Sequence, residues 1–192
     1  MEISNCDIDW YGIDKNGYVF QGYSTGTSCV PEFVCLDYMN GLKEFDIIEE
    51  FFLNFEGFNL DNIRYIKELE EYIISKKDIS NELKEILNNK LNDNEGDIIF
   101  ALKGITSFEI LDGLDPHRRN EFAKHPYHYR KVIEPTSILN TKLLHFDQLP
   151  KNIQKIMDSY RVDIDVQKDD YFYIPSVFDS PLFEKEWKTK FL

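Results

Sequence analysis

Three of the four histidines, His117, His125 and His128, fall in one short segment, HRRNEFAKHPYHYRK. With Asp115 they supply nitrogen and oxygen donors at the close spacing a shared cation uses, the raw material of a metal-assisted hydrolase. Pro126 stands between His125 and His128 and opposes a helix presenting both. On a strand, positions 125 and 128 have opposite parity and point to different faces. The spacing therefore fits turn histidines better than ligands, and no second ligand pair completes a set elsewhere. Cys6, Cys29 and Cys35 form an odd, sparse group without C-x-x-C spacing. A nucleophilic thiol needs an adjacent base, and none accompanies them, so they read as small buried side chains. The stretch from Gly22 to Ser28 (GYSTGTS) lacks both GxGxxG spacing and a GK[ST] ending, which makes it a turn sooner than a phosphate cradle. Asp163, Asp165, Asp169 and Asp170 suggest calcium, but the central glycine and closing glutamate of an EF-hand loop are missing. Alternation along a strand edge accounts for the first two. No catalytic constellation results, and the expectation is a protein without enzymatic activity, metal or other cofactor.

Charge is the more informative signal. The 192 residues carry 35 acids against 22 lysines and arginines, a formal net charge of −13. A nucleic-acid binder needs a basic footprint, so direct DNA or RNA binding is excluded as the expectation. Residues 43–97 alone hold 15 acids against 7 bases. Glu49, Glu50 and Glu56 fall on the outward side of one helical pattern there, and Glu68, Glu70 and Glu71 on that of another. Such a face either keeps the protein soluble or docks a basic protein partner, which long-range attraction would draw in. These six glutamates are the candidate partner-binding residues.

The elements that would position these groups follow from periodicity. Residues 7–13 (DIDWYGI) place apolar groups on both parities, as a strand covered on two sides does. Asn16-Gly17 is a tight-turn pair, and residues 18–23 return as an aromatic, β-branched strand. Residues 31–42 predict a short helix after Pro31. Asp46 and Glu49 have capping-box spacing before the stripe Ile47, Ile48, Phe51, Phe52, Phe55. Two more helices are expected over 62–76 and 78–91. Strands are expected over 98–102, 107–111 and 127–133, a Pro150-initiated helix with Ile153, Ile156, Met157 and Tyr160 on its buried face, and a half-buried strand with Val162, Ile164 and Val166 inward. The aromatic tail from Pro175 is expected to pack. No linker separates two halves, so the expectation is one α+β domain over residues 1–192: an N-terminal β-hairpin and a mainly antiparallel sheet covered by several acidic helices.

The opening Asp7-Ile8-Asp9-Trp10-Tyr11-Gly12-Ile13-Asp14-x-x-Gly17, with its aromatic strand and Ser24-Thr25-Gly26 turn, resembles small bacterial proteins grouped with polymorphic-toxin immunity proteins. The segment Leu144-His145-Phe146-Asp147-Gln148-Leu149-Pro150-x-x-Ile153 is similar to a DLPxxI stretch in such proteins. The resemblance implies a cytosolic, non-enzymatic protein that neutralises a cognate toxin, such as a nuclease, by binding it, and carries over no catalytic residue. A cytoplasmic location also suits the sparse cysteines and the lack of a signal-peptide or membrane-spanning run. The rival readings are the hydrolase built on residues 117–128 and a module whose acids serve only solubility.

Overall fold

The computed structural model describes residues 7–25, 27, 29–41, 43–55, 100–110, 119–124, 127–133, 135 and 142–175. The helices expected over 62–76 and 78–91, and the tail from residue 176, lie outside them. The fold is α+β, with a five-stranded mixed sheet and several helices.

Strand β1, Asp9–Ile13, pairs antiparallel with β2, Val19–Tyr23. The connection is fixed by Asp14, whose Oδ1 accepts the N–H groups of Asn16 (2.9 Å) and Tyr18 (2.8 Å). Gly17 sits at φ +93°, a conformation side chains oppose, and a Cβ there would lie 2.3 Å from the His145 ring. Asp14 Oδ2 also accepts the N–H of Val166 at 3.1 Å, so one buried carboxylate ties this turn to a loop 152 residues later.

The sheet order is β1-β2-β3-β4-β5, with β3 at Thr106–Ile110, β4 at His128–Ile133 and β5 at Tyr171–Tyr173. Three of its pairings are antiparallel, but β2 and β3 run parallel. That one parallel pair makes the sheet mixed, and it forces a long crossover between them, because no tight turn can join parallel neighbours.

The crossover begins with helices α1, Glu32–Met39, and α2, Lys43–Asn54, which take opposite faces of the sheet. On one face Trp10, Phe20, Phe108, Tyr129 and Phe172 pack beneath Val34 and Cys35 of α1. Gly22 makes room for Trp10, since a Cβ at that position would come within 2.5 Å of the indole. Trp10 Nε1 donates to Tyr129 Oη (2.9 Å), which in turn donates to the Cys29 carbonyl (2.6 Å). On the other face Tyr11 stacks on Phe52 of α2 with centroids 4.5 Å apart, beside Ile48, Phe100 and Ile105. Helix α4, Lys151–Met157, adds Ile153 and Met157 to this cluster; the short α3, Arg119–Lys124, precedes β4. Both parities of β1 are thus apolar because the sheet is covered on both sides.

Three local expectations are corrected. Residues 100–102, within the stretch expected to be a strand, are helical. Ile105 N–H donates to Phe100 O and Gly104 N–H to Ala101 O, with Gly104 at φ +85°. That is a Schellman ending, and the apolar run is a buried helix terminus. Helix α2 starts at Lys43, so Asp46 lies in its first turn and does not cap it. The cap comes from Asp37, whose carboxylate accepts the N–H groups of Glu44 and Phe45. Finally, residues 162–170 form a loop, with a single bridge from Arg161 to Ile13. Ile164 and Val166 are buried as their alternation predicts, but Asp165 is buried too, at 2% exposure, and does not face outward. Burial opposes its ionisation, yet hydrogen bonds from Asn16, Lys168 and the Gln167 N–H, with the Lys168 charge, hold its carboxyl below the usual value.

Candidate functional site: an acidic, aromatic-floored groove

Pro31 opens α1 without a side-chain cap, and Asn40 and Gly41 (φ +90°) end it. Because Asp37 in its last turn caps α2, the junction between the two helices is set by a charge-assisted bond to a helix N-terminus. Opposite this junction runs the segment after α4. Ile13 N–H donates to Tyr160 O (2.8 Å) and Val162 N–H to Ile13 O (2.9 Å), which pins residues 160–162 along the end of β1. Phe33 of α1 stacks on Tyr160 with centroids 4.6 Å apart and planes 11° from parallel.

Between these walls lies a groove of about 820 Å³. Phe33, Leu36, Tyr160 and Val162 supply apolar surface. The exposed carboxylates of Glu32, Glu44 and Asp163 stand at its rim, and none forms an ion pair with a described residue. Two cations also line it. Arg161 is engaged by Asp158 at 2.9 Å and lies over the Phe146 ring, while Lys43 is exposed at the start of α2. Tyr160 is 5% exposed and its hydroxyl has no hydrogen-bond partner among the described residues. Burial, then the Asp37 and Glu44 carboxylates, push its ionisation well above the ordinary tyrosine value, so it remains a neutral phenol.

No family model, curated protein or solved structure matches the chain. The chemistry must therefore be argued from these residues.

Of the six glutamates expected to meet a partner, Glu56, Glu68, Glu70 and Glu71 lie outside the described residues. Glu50 is exposed on α2 and lines a second depression, of about 590 Å³, with Ile47, Phe51 and Ile153. Glu49 is half-buried, close enough to Tyr11 to disfavour its ionisation. Asp115, His117 and His125 also lie outside the described residues. His128 is half-buried in β4 with its ring against Tyr173, centroids 5.2 Å apart. Among the described residues no group of three or more His, Cys, Asp or Glu side chains could hold a metal ion. Both described cysteines are buried thiols outside any disulfide. Burial, reinforced by Glu32, pushes the Cys35 thiol up to about 12, where it is protonated and inert at neutral pH. The groove can accept hydrogen bonds, hold positive charge and bury an apolar or planar group; among the described residues it pairs no nucleophile with a base.

Sequence reasoning missed Phe33, Asp37 and Tyr160. Asp37 had a legible signal, an acid a few residues before the start of the next helix. Helical spacing marks Tyr160 as buried, as it is, but nothing pairs it with Phe33, because 127 positions separate them and only the fold stacks them.

Proposed function

We propose that this protein is a non-enzymatic inhibitor of the immunity type, which binds a basic toxin domain and blocks its working cleft. A toxin that cleaves nucleic acid suits the role best, since it must carry the positive surface that phosphates require. The observation carrying the proposal is the groove, in which three carboxylates without a counter-ion among the described residues accompany aromatic side chains, in a chain of net charge −13. Opposite charge would speed encounter, and the aromatic side chains would supply lasting affinity. The acidic α2, with Glu50 exposed beside its apolar neighbours, would extend the docking face. The place of action would be the cytoplasm, in keeping with Cys29 and Cys35 being thiols outside any disulfide. Among the described residues no helix is long and apolar enough to cross a membrane.

The test is co-expression with the product of a basic-toxin gene adjacent to this one, followed by binding kinetics. Growth should be rescued with one-to-one binding, and rising salt should slow association far more than it hastens dissociation. A salt-independent association rate would overturn the reading. So would stoichiometric zinc or manganese in the purified protein that is lost on His125→Ala or His128→Ala, which would favour the hydrolase.

A further inference from the structure

The groove has features that select among cations. Its lining includes the partly exposed Phe33 ring, backed on one face by the Tyr160 ring at a centroid distance of 4.6 Å. Its acids come from three separate segments: Glu32 begins α1, Glu44 begins α2 and Asp163 follows the strand-like residues 160–162. Independently of those acids, Tyr160 lines the groove, is 5% exposed, and has a buried hydroxyl without a hydrogen-bond partner among the described residues. A buried polar atom left unpaired costs free energy that a ligand can recover.

We infer that this groove is the seat of an arginine side chain presented by the basic protein partner; the inference rests on the inhibitor reading above. A guanidinium is planar, stacks on aromatic faces and offers five donors in a fixed fork, so carboxylates on separate walls can bind it together. A lysine ammonium is a compact, strongly hydrated point charge that would gain less from an aromatic ring in the lining. The neutral Tyr160 hydroxyl supplies an acceptor for a remaining N–H once the ring shifts to meet the occupant. At about 820 Å³ the groove has more room than one side chain fills, so the residues flanking the arginine enter with it. Arg161 does not fill the seat itself, because Asp158 and the Phe146 ring hold its guanidinium.

The test titrates the full chain with N-acetylarginine amide, N-acetyllysine amide and N-acetylcitrulline amide, following backbone amide NMR shifts. The arginine probe should move residues 32–44 and 159–163, bind several-fold more tightly than the lysine probe, and lose its effect when citrulline removes the charge. Glu44→Gln and Asp163→Asn should each weaken binding by about two- to five-fold, the range of a partly exposed ion pair. Tyr160→Phe should weaken binding while leaving the melting temperature essentially unchanged, because no internal hydrogen bond is lost. Equal binding of arginine and lysine probes, or shifts scattered over every acidic surface, would overturn the inference. Free arginine binding far more tightly than the blocked amide would also overturn it, by making the occupant a small molecule. A basic toxin bound undiminished by the Glu32→Gln, Glu44→Gln, Asp163→Asn triple variant would sink the arginine seat and leave the inhibitor reading standing. Arginine-probe binding here with no basic protein partner would sink the inhibitor reading and, with it, a partner's arginine as the occupant.

Discussion

The best-insulated polar contacts are the hydrogen bonds from Trp10 through Tyr129 to the Cys29 carbonyl, in the midst of the apolar face under α1. Burial holds the Tyr129 hydroxyl neutral far beyond its ordinary range, so it can donate and accept at any working pH. Tyr129→Phe would strand the indole N–H and a carbonyl together. The expected loss is about 1–3 kcal/mol in urea unfolding, with the fold retained; an unchanged midpoint would show that these groups find other partners. Lys103 is a different case. Its ammonium is buried and donates to the Phe52 and Leu53 carbonyls at the end of α2, and burial lowers its pKa to about 8. Between that value and the ordinary lysine value of 10.5 the unfolded chain binds more protons than the folded one, so stability from this residue rises with pH. Below about pH 8 both states are charged and the desolvation penalty is fully present. Lys103→Met should remove this trend: the stability of the natural protein minus that of the variant should rise from pH 8 to pH 10, and a flat difference would refute the assignment.

At the scale of elements, Asp37 joins two helices and one wall of the groove. Asp37→Ala frees two N–H groups at the start of α2 and should cost about 0.5–2 kcal/mol in thermal unfolding. It should also weaken arginine binding, because Glu44 would lose its fixed place; full affinity in the variant would show that the junction is set by apolar packing. Much of this layer is legible from local chemistry. Asn16-Gly17 requires a turn, and β1 has apolar residues on both parities because both faces are covered. Pro150 precedes α4, whose Ile153 and Met157 are buried. The errors share a physical cause. The run at 100–102 is too short for periodicity to separate strand from helix end, and Gly104 was the deciding residue. The alternation at 162–166 correctly marks Ile164 and Val166 as buried, but Asp165 finds hydrogen bonds and cations that permit burial of its charge. The groove itself was hidden, since it exists only where segments from residues 31–44 and 159–163 converge. The parallel pairing of β2 and β3 was hidden likewise, because the pairing partner of a strand is decided by the whole sheet.

For the molecule as a whole, the question is whether its negative charge acts as a diffuse field or through a particular place. The two have different kinetic signatures, because a charge that stays hydrated in the complex changes association, whereas a charge desolvated against its partner changes dissociation. Asp7 and Asp147 are exposed acids that belong neither to α2 nor to the arginine seat. Replacing both with their amides should slow association with the basic partner at low salt and leave the dissociation rate nearly unchanged. Replacing Glu44 and Asp163 removes the same formal charge, so the same loss of steering is expected. If these two lie against a seated guanidinium, however, the complex should also dissociate roughly tenfold faster or more. The comparison holds net charge constant and varies only position. Surface plasmon resonance at two salt concentrations would provide it, and the salt dependence of association should fall equally in the two variants while only one gains a fast off-rate. Identical dissociation rates would mean that the acidity works as a field alone, and that the groove has no part in holding the partner.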